Sequence, residues 1–189
     1  DQDTVDKHFN NQTETNHFIG DSTGSGNRHL GADLDQIRIY DTVLSSTDVS
    51  NLYAETASDT NTLSFPSGQT AIATYQLDGN SNDVSGNYSG TDTDIKYAYD
   101  GTESNIEYRF GRFGQAAVFN GSNIATPAKI PFSLNFSFSF WFNTTSTYAS
   151  GYIFSTKENS LTNGYYLLAN NGLIQYGEGN GSTNATAQY

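Results

Sequence analysis

Phe136 to Phe142 alternates strictly along the chain, with Phe136, Phe138, Phe140 and Phe142 on one side and Ser137, Ser139 and Trp141 on the other. Period two is the signature of a strand with one face on a core, and Trp141 then covers the second face. Shorter apolar or β-branched runs predict further strands at His17–Ile19, Leu34–Tyr40, Ala71–Leu77, Ile95–Tyr99, Ala116–Phe119, Gly151–Ser155, Gly164–Ala169 and Leu173–Tyr176. Between them lie Gly79-Asn80, Ser85-Gly86-Asn87, Asn120-Gly121, Asn163-Gly164 and Asn171-Gly172. Asn-Gly pairs take up the positive φ angles of tight hairpin turns without strain. One helix is predicted at 46–54. Ser45 is its N-cap, Asp48 stands three residues on, and Val49, Leu52 and Tyr53 follow at helical spacing. The polar run from Thr56 to Gly68 reads as a linker.

Composition agrees with folded β structure. Apolar residues are only 35% of the chain, yet aromatics reach 14%, and disordered chains are poor in them. The fold class expected is therefore all-β, an antiparallel β-sandwich with one short helix. Cys is absent, which removes disulfides and thiol chemistry. Met is absent even at position 1, so the chain is expected to be a processed product or an excised fragment that need not begin at a domain boundary. No apolar run approaches the roughly 20 residues that span a bilayer, and no signal-peptide pattern opens the chain. A soluble product without membrane insertion is expected. A formal charge of −12 would be repelled by phosphate backbones, so nucleic acid is not expected as a partner.

Two blocks resemble the laminin-G-like, concanavalin A-type lectin and glucanase jelly rolls found in phage fibres and bacterial surface proteins. Ala71-Ile-Ala-Thr-Tyr-Gln-Leu-Asp-Gly-Asn-Ser-Asn-Asp-Val-Ser-Gly86 is similar to the opening strand and turn of that family. Gly111-Arg-Phe-Gly-Gln-Ala-Ala-Val-Phe-Asn-Gly121, continuing to the aromatic strand at 136–142, extends the likeness. Gly31-Ala-Asp-Leu-Asp-Gln-Ile-Arg-Ile-Tyr40 and the segment from Asp41 to Tyr53 resemble the closing strand and helix, with Asn16 to Gly20 before them. The closing element thus precedes the opening one. The family's central Trp strand and Tyr-x-Asn-Gly strand are not found.

Two arrangements fit this order. In one, residues 1–56 end one jelly roll, with 57–70 as linker and 71–189 beginning the next; the missing central strands favour this junction. Alternatively the two parts complete each other as one permuted sandwich. In that case the resemblance implies that the strand at 34–40 pairs with the strand at 71–77.

Catalysis finds little support in the residues. Related glucanases carry Glu-x-Asp-x-x-Glu on one strand face. The nearest segment, Glu103-Ser-Asn-Ile-Glu107, lacks the Asp and reads as a loop, so no enzyme is expected. His8, His17 and His29 show no metal-ligand spacing, and Gly24-Ser-Gly26 has no helix behind it to make a phosphate loop.

Calcium is the better cofactor candidate. Asp78, Asn80, Asn82 and Asp83 place oxygens at alternating positions in one turn, with Asp35 and Asp33 on the closing strand as further partners. An Asx-rich hairpin turn explains the same residues. Glycan binding would draw on Tyr148, Tyr152, Tyr165, Tyr166 and Tyr176, with Asn163, Asn170 and Asn171 beside them. Those tyrosines would equally fill or cover a sheet. The resemblance implies a non-catalytic module recognising carbohydrate or a cell-surface ligand, on a virion fibre or an extracellular adhesin. The alternative is a structural fibre or decoration domain that packs on neighbouring subunits or tandem domains.

Overall fold

The computed structural model describes residues 17–21, 29–56, 71–85, 101–126, 135–144, 150–156, 164–170, 172–179 and 184–188. Their strands are β1 (His17–Ile19), β2 (Gly31–Tyr40), β3 (Ala73–Tyr75), β4 (Thr102–Ser104), β5 (Glu107–Phe110) and β6 (Gln115–Asn120). There follow β7 (Asn123–Thr126), β8 (Ser137–Asn143), β9 (Ser150–Ser155), β10 (Gly164–Asn170), β11 (Leu173–Gly179) and β12 (Asn184–Gln188). One helix, α1 (Ser46–Ala54), lies between β2 and β3. The fold is an all-β sandwich of two antiparallel sheets. The first has seven strands in the order β12-β11-β10-β9-β1-β7-β4.

The second sheet is built around β2. One edge of β2 pairs with β8 along its length. Its other edge takes β6 over Gly31–Leu34 and β3 over Ile37–Ile39, and β5 adds outside β6. The expected pairing of the strand at 34–40 with the strand at 71–77 is present, with Ile37 opposite Tyr75 and Ile39 opposite Ala73. In the first sheet β1 lies between β9 and β7. Strands from both sides of residues 57–70, the expected linker, which lies outside the described residues, therefore share both sheets.

Between the sheets Leu34, Ile37 and Ile39 of β2 and Phe119 of β6 meet Ile19, Ile124, Ile153 and Phe154 of the first sheet, all buried. Phe138, Phe140 and Phe142 pack on this core while Trp141 stands on the other face, as the alternation at 136–142 requires. A β-bulge keeps β2 in phase. Its register against β8 shifts between Asp35 and Arg38, and Gln36 there has φ 52°. The extra residue lets Leu34 and Ile37 both face the core, and puts Asp33, Asp35, Arg38 and Tyr40 together on the opposite face.

That opposite face is covered too. The Ser45 hydroxyl accepts the Asp48 N–H at 3.2 Å, and the Asp48 carboxylate accepts the Ser45 N–H at 2.9 Å, closing a capping box at the start of α1. The inward residues of α1 are Asp48 and Leu52, not the whole apolar set, since Val49 and Tyr53 are exposed. Leu52 packs on Tyr40 and Ala71. Arg38, buried, donates to both Glu55 carboxylate oxygens at 2.8 Å and ties the end of α1 to the sheet.

Three expectations change in detail. The strand expected over 71–77 is confined to 73–75, because Leu77 has φ 61° and Gly79 φ 81°, which no ladder accommodates. Asn120-Gly121 makes no hairpin: Gly121 at φ 75° turns the chain from β6 in one sheet to β7 in the other. Glu103 and Glu107 are not loop residues. They lie on β4 and β5, and Asn105 at φ 55° sends these strands to different sheets. The strand expected at Ile95–Tyr99 lies outside the described residues.

Candidate functional site

The covered face of the second sheet opens into a groove of about 310 Å³. Its floor is β2, where Asp33 and Asp35 project on one face at a spacing of two. Its walls are Trp141 and Asn143 of β8 on one side and Gly111 and Arg112 after β5 on the other. Phe110, 97% exposed, stands at the rim.

The two carboxylates are deeply placed and unevenly satisfied. Asp33 is 5% exposed and Asp35 2%. On Asp33 every donor falls on Oδ2: Arg109 Nε at 2.9 Å and Nη2 at 2.5 Å, and Asn143 Nδ2 at 3.2 Å. Oδ2 of Asp35 accepts the Phe113 N–H at 2.8 Å. The Oδ1 atom of each is buried and has no hydrogen-bond donor. Buried oxygens in this condition are rare, because each carries the full cost of leaving water.

Asp35 feels that cost as a raised pKa, pushed up to about 6. Burial is the main cause and the nearby Asp78 charge adds to it, against the Phe113 N–H, which lowers it. A β-carbon on Gly111 would stand 2.6 Å from Asp35 Oδ2 and 2.8 Å from the Ala116 Cβ, so only glycine lets the chain pass this close above the carboxylate. Gly114, at φ 58°, lets the next turn approach Asp78, whose Oδ1 accepts the Gln115 N–H at 2.6 Å.

Aromatic side chains gather at the same groove. The Arg112 guanidinium lies 4.9 Å from the Trp141 ring centroid and 5.2 Å from that of Phe113, both within cation–π range. Tyr53, 75% exposed on α1, stacks on Trp141 with centroids 5.8 Å apart and ring planes 28° from parallel. Trp141, Tyr53 and Phe110 thus form an apolar ledge beside two carboxylates. Charged and amide side chains beside aromatic faces are the material of a sugar site, where rings stack and hydroxyl groups donate.

The sites expected from sequence are distributed differently. In the Asp78 turn, Asn80 Oδ1 accepts the Asn82 N–H at 3.0 Å. Asp83 Oδ1 accepts the N–H groups of Thr74 and Ser85 at 2.8 and 3.0 Å, and its Oδ2 accepts the Ser85 hydroxyl at 2.9 Å. Asp83 also bridges to Tyr75. These contacts build an Asx turn from the chain's own donors. Among the described residues no three His, Cys, Asp or Glu side chains group as a metal would need.

Asp35 does come near Asp78, as the closing strand implied. Tyr152 is buried at 3% and packs edge-on against Tyr166, so it offers no ring face to a ligand. Tyr176 is half-buried beside Phe136. Tyr165 lies on β10, and Asn170 ends that strand. Tyr148, Asn163 and Asn171 lie outside the described residues. His17 is buried at the start of β1 against Phe154, and His29 pairs with Asp21 at 3.0 Å. Trp141, Arg109 and Arg112 carried no signal as site residues in the sequence. Arg109 and Asn143 reach Asp33 from about 75 and 110 residues away, Asn143 on β8, which pairs with β2, and Arg109 on β5, which lies outside β6.

The chain matches no family model, no curated protein and no solved structure. Function rests on the groove itself.

Proposed function

We propose that this chain is a non-catalytic recognition module that binds carbohydrate in the groove beside Trp141, in an extracellular adhesin or at a virion surface. The observation that supports it is the pair of buried, donor-poor carboxylates, Asp33 and Asp35, beside the ledge of Trp141 and Tyr53. Sugar hydroxyls are donors, and pyranose rings present C–H faces that pack on indole and phenol rings. Binding, rather than bond cleavage, is the reading because Glu103 and Glu107, the nearest match to a glucanase carboxylate pair, lie on strands of different sheets.

A glycan array tests this, run on folded protein with and without Ca²⁺. Specific hits support recognition. Their loss on removing Ca²⁺ would give the Asp78 turn a part in it, and an array with no hits overturns the reading.

A second reading has one observation of its own. Among the described residues β8 pairs on one edge only, with β2, while its phenylalanines are half-buried. An open edge can receive a strand from another subunit or domain, which is how a structural fibre domain would assemble. Light scattering that finds oligomers in solution, with an array lacking hits, would favour that role.

A further inference from the structure

The groove holds an unbalanced set of charges at its floor. Asp33 is neutralised by Arg109, which reaches its Oδ2 through both Nε and Nη2. Asp35 has no such counterion: its hydrogen bonds come from uncharged backbone N–H groups, that of Phe113 foremost, and the charge that acts on it is the carboxylate of Asp78. Arg112, the remaining cation of the groove, is exposed and lies over the rings of Trp141 and Phe113. Asp33 and Asp35 thus leave one negative charge uncompensated, with both Oδ1 atoms lacking donors.

A buried carboxylate without a partner is stabilised most by a group that brings both a positive charge and N–H donors. An ammonium does both. It can also lie against Trp141 as the Arg112 guanidinium does, since indole faces attract cations. A divalent metal would need several oxygen ligands, whereas Asp33 Oδ2 is already occupied by Arg109. A neutral hydroxyl would satisfy an oxygen without balancing its charge. An anionic sugar would be repelled by the floor and by a chain of formal charge −12.

We infer that the groove selects amine-bearing glycans, with a sugar ammonium taking the place of Arg112 at Trp141 and donating to the free oxygens of Asp35 and Asp33. This rests on the carbohydrate reading of the groove and narrows its ligand class.

The experiment compares glucosamine oligosaccharides with the same oligosaccharides after N-acetylation, by calorimetry on the intact chain. N-acetylation removes the charge and leaves the ring and every hydroxyl in place. The free amine form is expected to bind at least about tenfold more tightly, the gain of one charge-assisted hydrogen bond. Asp35→Asn, which keeps an acceptor for the Phe113 N–H, is expected to remove that preference, with its melting curve verifying the fold. Equal or tighter binding of the acetylated form overturns the amine inference and leaves carbohydrate recognition standing. Binding only with added Ca²⁺ also overturns it, since a metal would then balance Asp35. If neither form binds while other glycans do, the amine class is wrong. If no glycan binds at all, the proposed function itself fails.

Discussion

The Asp35 carboxylate receives the Phe113 N–H at 2.8 Å, joining the central strand β2 to the turn between β5 and β6. This contact fastens Arg112 and Phe113 over the groove, from a residue whose own charge is poorly compensated. Burial raises its pKa from 3.8 to about 6, so the sign of its pH effect is opposite to that of a paired aspartate. Between these values the folded chain keeps a proton that the unfolded chain has lost. Asp35 therefore favours the fold below about pH 4, and its contribution declines as pH rises toward 6. The penalty above that is up to about 3 kcal/mol. Chemical denaturation at pH 4.5 and 7 should show a smaller difference in Asp35→Asn than in the parent chain. An unchanged difference would mean that Asp35 is not strained by its burial.

Arg38 and Glu55, unlike Asp35, compensate each other's charge. The pair is buried, joined through both carboxylate oxygens, and holds α1 on the sheet. Glu55→Gln leaves a buried guanidinium without its counterion, which costs roughly 3–5 kcal/mol. Urea unfolding should record that loss.

Removing the capping hydroxyl is a smaller change. Ser45→Ala deprives the first turn of α1 of its side-chain acceptor and should lower stability by about 1 kcal/mol. Because Tyr53 on α1 stacks on Trp141, the same variant should alter Trp emission.

Strand sharing between residues 17–40 and residues 73–155 gives a test of how the chain is organised. β1 lies between β7 and β9, and β2 is flanked by β8, β6 and β3. A piece ending near residue 60 and a piece starting near residue 67, produced together, should therefore copurify as one folded complex. The larger piece alone should be unfolded or aggregated, because losing β2 exposes its core and two sheet edges. Two independently folded pieces would instead support separate tandem domains.

The sequence conveyed some of this more clearly than the rest. Alternation at 136–142 placed the phenylalanines on the core and Trp141 opposite, because a strand's period is enforced by its backbone. The Ser45–Asp48 box was legible because capping is a local exchange of hydrogen bonds. The bulge at Gln36 was not: no glycine or asparagine marks it, and its positive φ is held by the pairing of β2 with β8. Asp33 and Asp35 were visible as candidates near the Asp78 turn. Their actual neighbours Arg109, Asn143 and Trp141 come from β5 and β8, which only the sheet order brings to β2. Tyr152 was misleading in a different way, since a tyrosine that covers a ligand and one that fills a core look the same in a strand.

The most direct test uses the only tryptophan of the chain, Trp141, which stands in the groove wall. Its emission should change saturably as an oligosaccharide that binds on the array is titrated in, and the resulting Kd should equal the calorimetric one. An oligosaccharide that binds by calorimetry while Trp141 emission stays constant would place recognition elsewhere and contradict the assignment of this groove.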